Sequence, residues 1–272
     1  NDRLATSRSA STPSRHKKGE RDLIEVRTAG KLGYCSGVSQ AIEKAKEYGD
    51  KNGKVYSLGT VAHNEDVVEL LRQHGVEPIS VEDMAPGTCV VITAHGAPPE
   101  LYEKISKLGC ASLDCTCPIV KKAQDVVRKL AADEFDIVIF GDPDHQEVKG
   151  LVGWAMGKAK FVGDFNQLFT PEQGHKNLGL GKLVGVVSQT TKVPADYADF
   201  FTTLGNLRIE GFQQLLVVNT ICPIVAERIK ETERLAKEVD VMFVIGSQQS
   251  ANTQNLVRVA GSVMGIESVF LV

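Results

Sequence analysis

Cys35, Cys117 and Cys222 lie far apart in a chain of 272 residues, yet each opens the same local pattern. Cys117 and Cys222 both begin Cys-Pro-Ile-Val, at 117–120 and 222–225. Behind each cysteine, apolar residues recur at the spacing of an amphipathic helix. They are Val38, Ala41, Ile42 and Ala45 after Cys35; Ile119, Val120, Ala123, Val126, Val127 and Leu130 after Cys117; and Val225, Ile229, Leu235, Ala236 and Val239 after Cys222. Three thiolates gathered at one point suit a soft metal, either zinc or an iron–sulfur centre. Structural zinc is usually closed by four ligands, often from Cys-x-x-Cys knuckles, and the sequence has no such knuckle. Full four-cysteine ligation is usual for electron-carrying clusters. Three widely separated cysteines suit a [4Fe–4S] cluster with one iron left for substrate. Cys89 and Cys110 fall outside the pattern and read as buried apolar thiols. Cys115 stands too near Cys117 to be assigned either way.

The elements that must position these thiols also repeat. Each helical run leads to a strand, at 54–58, 136–140 and 241–245, and each strand to a glycine. Gly59, Gly141 and Gly246 stand the same 24 residues beyond their cysteines. Four residues further lies a polar group: His63, His145 or Ser250. A cysteine between a strand and a helix lies at the carboxyl end of that strand, the edge where open parallel α/β sheets bind ligands. Three such units around a pseudo-three-fold axis would aim three thiolates at one centre. The expected fold is therefore α/β: three pseudo-symmetric small α/β subdomains in a trefoil around a central iron–sulfur cluster. A later strand follows in two units, 90–93 leading to His95 and 183–187 leading to Thr190. Its third counterpart would fall beyond Val272, so by this repeat the third unit is C-terminally incomplete. The divisions expected are a disordered basic tail at 1–22 and subdomains at 23–111, 112–212 and 213–272. Gly179-Leu180-Gly181 precedes a strand rather than following one, which rules it out as a dinucleotide fingerprint.

Composition narrows the function class. With 42% hydrophobic and 24% charged residues, the chain reads as a soluble globular protein. A net charge of −3 argues against nucleic-acid binding, which usually needs a basic face. No apolar run approaches the roughly 20 residues of a membrane span. Six cysteines in so long a chain are too few for a disulfide scaffold and point to a reducing compartment. The expected location is the cytoplasm, or a plastid-type organelle if the Ser- and Arg-rich tail is the remnant of a transit peptide.

At these same residues the sequence resembles the 4-hydroxy-3-methylbut-2-enyl diphosphate reductases, iron–sulfur enzymes of the methylerythritol phosphate route to isoprenoids. The matching stretches run in family order: Gly33–Val38, Ala62–Asn64, Ala94–Gly96, Asp114–Val120, His145–Gly150, Gln189–Thr191, Thr220–Cys222 and Ser250–Thr253. The resemblance implies a [4Fe–4S] cluster on Cys35, Cys117 and Cys222 whose free iron takes the substrate hydroxyl. Two electrons and two protons would then remove that oxygen as water, giving isopentenyl and dimethylallyl diphosphate. It also implies an allylic diphosphate site formed by His63, His95, His145, Thr190, Ser250, Ala251 and Asn252, and an electron donor such as ferredoxin or flavodoxin. The chain departs from the family's usual pattern at Cys115 (usually Ala), Gln146 (usually Pro) and Ala251 (usually Ser). After Cys222 it keeps only Arg228 of the usual motif, and the family's Gly-Ala-Ser segment would lie beyond Val272.

The residue types suit that chemistry. Loss of hydroxide needs a proton, and Glu147, two residues past His145, is the expected general acid, its pKa raised in a dry pocket beside an anion. Thr190 can bond the hydroxyl and relay the proton. Histidine ring N–H groups can hold the diphosphate, more strongly if protonated. Ser250 and Asn252 would add neutral donors. His16, His74 and His175 carry no such expectation. Two competing readings remain: a divergent paralogue reducing another small substrate on the same cluster, and a non-catalytic iron–sulfur or zinc protein that senses redox state.

Overall fold

A computed structural model describes residues 24–164, 169–170, 174–175, 178–208 and 211–272. The expected tail at 1–22, including His16, lies outside them.

The first sheet-forming segment comprises α1 (Ser36–Asn52), β1 (Val55–Leu58), α2 (Glu65–Gln73), β2 (Val76–Ile79), β3 (Cys89–Ile92), α3 (Pro99–Lys107) and β4 (Ala111–Asp114). The second comprises α4 (Pro118–Ala132), β5 (Asp136–Phe140), α5 (Gln146–Trp154), β6 (Ala159–Gly163), β7 (Phe169–Thr170), β8 (Gly174–His175), β9 (Leu183–Ser188), α6 (Pro194–Arg208) and β10 (Gln214–Val217). The third comprises α7 (Pro223–Ala236), β11 (Met242–Val244), α8 (Ala251–Met264) and β12 (Val269–Leu271).

The strand orders reveal the repeat. The first sheet runs β2-β1-β3-β4 and the second, apart from the small β7–β8 pair, runs β6-β5-β9-β10; every pairing in both is parallel. With β5 matched to β1, the two orders are identical. The third sheet pairs β11 with β12 in parallel, the counterpart of β1 with β2. Parallel strands covered on both faces read as continuous apolar runs. Accordingly Ile137, Val138 and Ile139 of β5 are fully buried, with two separate apolar cores on either face of that sheet. Pro118 and Pro223 occupy the first turns of α4 and α7, where a missing N–H costs nothing.

Two features differ from expectation. The strand before Cys117 is β4, and it belongs to the first sheet; the strand before Cys222 is β10, and it belongs to the second. A division at 111/112 would cut β4, and one at 212/213 would part β10 from its sheet. Among the described residues no strand precedes Cys35: residues 24–34 run without regular structure, and Ile24 and Val26 are exposed. This segment is instead fastened to α7 and to Glu238, two residues beyond its end. Arg27 pairs with Glu238 at 3.0 Å, Gly30 N–H donates to Glu231 at 2.6 Å, and Lys31 pairs with Glu227.

The other junctions are also specific. Trp154 Nε1–H of α5 donates to the Ala97 carbonyl at 3.0 Å, joining the second unit to the first. Asn255 Nδ2 of α8 donates to the Thr191 carbonyl at 2.7 Å, joining the third to the second. Each of the three units thus contacts the other two.

Candidate active site

Cys35, Cys117 and Cys222 are the N-caps of α1, α4 and α7, and none forms a side-chain capping bond. Each sulfur therefore sits at the positive end of a helix dipole, which favours thiolates. The three are electrostatic neighbours. Burial raises the Cys117 pKa, the N–H groups of Ile119 and Val120 oppose that rise, and the charges of Cys35 and Cys222 add to it. Gly37 shows how closely two of them approach one another: a Cβ there would lie 2.6 Å from Cys117 Sγ and 4.0 Å from Cys35 Sγ. A side chain at position 37 would push the Cys117 sulfur from its place. Three thiols at helix N-termini, with Cys35 and Cys222 both close enough to act on Cys117, are a donor set that fits an anionic iron–sulfur group with three protein ligands.

The remaining cysteines are not part of this centre. Cys115, left open by sequence, is buried in the apolar core of the first unit beside Ala41 and Ala45. Burial pushes its thiol up to about 11, so it is neutral. Cys89 and Cys110 are half-buried free thiols packed at the margins of apolar clusters.

Three histidines form a second centre. His63, before α2, His95, after β3, and His145, the N-cap of α5, have ring centroids 4.7, 6.0 and 5.4 Å apart. Burial lowers the His63 pKa; burial, then the other two rings, takes His95 to about 3. Burial, then His63, takes His145 to about 4, against an opposing pull from Asp142. All three are neutral at pH 7 in this state, not protonated donors. Their ring nitrogens are close enough together to bracket a metal ion. The tautomer of His145 points elsewhere. Its Nδ1 accepts the Glu147 N–H at 3.1 Å, so in the neutral ring the proton is on Nε2. An Nε2–H group donates to an anion and offers no lone pair to a metal. His74, by contrast, pairs with Asp50 at 2.8 Å on the surface.

Glu147 lies in the first turn of α5 with 1% of its surface exposed. Its Oε1 accepts the Thr190 N–H at 2.6 Å and its Oε2 accepts the Thr190 hydroxyl at 2.8 Å. Burial raises its pKa to about 7 although both Thr190 bonds favour the carboxylate. Desolvation outweighs the two hydrogen bonds together. The group is poised to hold or release a proton near neutrality, and Thr190 is its direct partner.

Ser250 caps α8 by accepting the Thr253 N–H at 3.3 Å, with Ala251 and Asn252 in the first turn behind it. Asn255, one turn on, links this segment to Thr191. Several positioning residues carried no assignment from sequence. Gln189 is buried; its Oε1 accepts the Asp142 N–H at 3.0 Å and its Nε2 donates to Thr191 at 2.9 Å. A buried glutamine following an apolar strand was the available signal. Gln146 packs against Gly59, where a Cβ would lie 2.3 Å from Gln146 Nε2.

A family model described as "LytB protein" matches residues 26–271. The chain is 36% identical over 241 residues to the 4-hydroxy-3-methylbut-2-enyl diphosphate reductase of Caldanaerobacter subterraneus subsp. tengcongensis, covering 87% of this chain and 80% of that one. A solved structure of (E)-4-hydroxy-3-methyl-but-2-enyl diphosphate reductase aligns with a TM-score of 0.65 at 31% identity, over 89% of this chain and 83% of its own. The E-1-hydroxy-2-methyl-but-2-enyl-4-diphosphate reductase from Plasmodium falciparum aligns with a TM-score of 0.77 at 26% identity, over 89% and 74%.

Proposed function

The chain belongs to the LytB protein family, and from that premise we propose that it removes the hydroxyl of 4-hydroxy-3-methylbut-2-enyl diphosphate reductively, yielding isopentenyl and dimethylallyl diphosphate. Its named relatives are reductases, and the chain is an oxidoreductase. Cys35, Cys117 and Cys222 would hold a [4Fe–4S] cluster, which would supply the electrons one at a time and a Lewis-acidic iron free of protein ligands. A one-electron protein donor such as ferredoxin or flavodoxin would refill it.

The chain's own residues account for the rest. His145 presents Nε2–H, and His63 and His95 can present theirs, to the diphosphate oxygens. Bound anion would draw these neutral rings toward the protonated form and strengthen each bond. Ser250, Ala251 and Asn252 at the head of α8 would complete the diphosphate site. Protonated Glu147 can reverse its bond with Thr190, donating to the threonine oxygen while that hydroxyl donates to the substrate. The C–O bond breaks and the oxygen leaves as water with the relayed proton; two electrons from the external donor and a second proton, drawn from solvent, complete the isopentenyl or dimethylallyl product.

Glu147 carries the reading. A fully buried carboxyl whose pKa lies near 7, bonded twice to Thr190 and next but one to His145, has little structural purpose and suits a general acid. The test is anaerobic reconstitution with iron and sulfide, followed by assay with the allylic diphosphate and a low-potential reductant. Wild type should hold about four irons per chain and turn over; Cys117→Ser should do neither. Zinc in place of iron, or a full cluster in Cys117→Ser, would overturn the assignment.

A further inference from the structure

A small cleft between α7 and α8 is lined by Val225, Arg228, Ile229, Asn252, Asn255 and Leu256. Two polar atoms in this otherwise largely apolar junction, Arg228 Nε and Asn252 Oδ1, are buried without a hydrogen-bond partner. One is an obligate donor and the other an acceptor. Leaving such atoms unpaired is costly, so native structures pair them directly or through water. The space is about 10 Å³, close to the minimum that holds one water.

The polar residues here each extend to a different part of the proposed site. Arg228 Nη2 donates to the Gly33 carbonyl at 2.7 Å, two residues before Cys35. Asn255 Nδ2 donates to the Thr191 carbonyl, next to Thr190. Asn252 stands two residues beyond Ser250 at the head of α8. One junction thus touches the thiol loop of the first unit, the proton-relay loop of the second and the diphosphate segment of the third.

We propose that Arg228 is a positioning residue that sets Asn252 relative to the Cys35 loop, its Nε–H reaching Asn252 Oδ1 through one bound water. The guanidinium suits this task because Nε and Nη2 diverge rigidly, so fixing one donor aims the other. Lysine keeps the charge and can still reach Gly33 O, but it has no second donor held at a fixed angle. This inference rests on the cluster-and-diphosphate reading above.

The test uses reconstituted full-length holoprotein and the variants Arg228→Lys, Asn252→Ala and the double variant. Iron content and the electron paramagnetic resonance spectrum of the substrate-free reduced cluster should match wild type in Arg228→Lys, because the Cys35 loop remains tethered. Its KM should rise about tenfold with kcat within twofold, and the substrate-induced change in the spectrum should need correspondingly more substrate. Asn252→Ala should raise KM similarly, and the double variant should be no worse than the poorer single one. Independent, multiplying effects would overturn the coupling. So would a fall in kcat or iron content at unchanged KM, which would mean Arg228 only holds the thiol loop. If wild type assembles no cluster and binds no allylic diphosphate, the parent reading fails instead.

Discussion

Glu65 and Glu147 occupy the same place in the repeat, each 30 residues past its cysteine, and they meet opposite fates. Glu147 is buried and its pKa rises to about 7; Glu65 is exposed at the head of α2. The difference lies in one residue of helix register. In the second unit His145 is the N-cap and Glu147 the second residue of α5. In the first unit Asn64 captures the cap, its side chain accepting the Val67 N–H at 3.1 Å, and Glu65 becomes the first residue of α2. One residue of register is about 100° of rotation around a helix, enough to turn a side chain from the interior to solvent. Chemistry here is thus set by which polar residue caps a helix, not by residue type alone.

The largest expected effect breaks the two glutamates apart. Glu147→Gln keeps size and polarity but has no transferable proton, so turnover should fall ~10²–10⁴-fold with substrate binding retained. Glu65→Gln, measured in the same assay, should turn over like wild type. Comparable losses in both would show that burial does not distinguish them.

Thr190→Val removes the hydroxyl that bonds Glu147 Oε2 while preserving the backbone bond. Turnover should fall about 10- to 100-fold, in line with a lost bond to an ionisable group. Because that bond holds the Glu147 pKa down, the alkaline limb of the variant's pH–rate profile should move to higher pH. An unmoved limb would separate Thr190 from the proton-transfer step.

Stability against pH sharpens the same contrast. His95 and His145, with folded pKa values of about 3 and about 4, bind protons more readily when unfolded between those values and about 6.5, so each makes stability rise with pH. Glu147 acts in reverse: between about 4.5 and about 7 the folded state holds the extra proton, and stability falls as pH rises. From about pH 4.5 to 6.5 the three leave a net gain of about 1.4 kcal/mol per pH unit. Urea unfolding should show that gain steepen in Glu147→Gln and remain unchanged in Glu65→Gln. The smallest effect concerns the cap itself: Asn64→Ala should cost about 1 kcal/mol of stability with little change in turnover, read from the same unfolding curves.

The helix-then-strand order behind each cysteine and the common phasing of the three were legible because they follow from apolar periodicity and exact spacing; the strand order of the sheets was not, since β4 and β10 pair with the sheet before the cysteine they precede. Glu147 and Thr190 were legible as separate candidates, but their pairing was not, since the contact spans 43 residues. The shifted cap of α2 was hidden because His63 and Asn64 are both polar and the choice between them depends on local geometry. The neutral state of the histidines was hidden because it depends on burial and mutual repulsion, which only the assembled cluster creates. The fastening of residues 27–33 to α7 was unreadable for the same reason: its partners lie about 200 residues away in sequence.

The most direct test of the comparison is to titrate the Glu147 carboxyl itself. Carbon-13 spectra of protein labelled at glutamate carboxyl carbons, compared with Glu147→Gln to assign the signal, would follow its ionisation. A resonance titrating at about 7, missing from the variant, is the predicted result. A Glu147 signal titrating near 4.5, the ordinary glutamate value, would contradict the account, because the proposed acid would then be ionised at neutral pH.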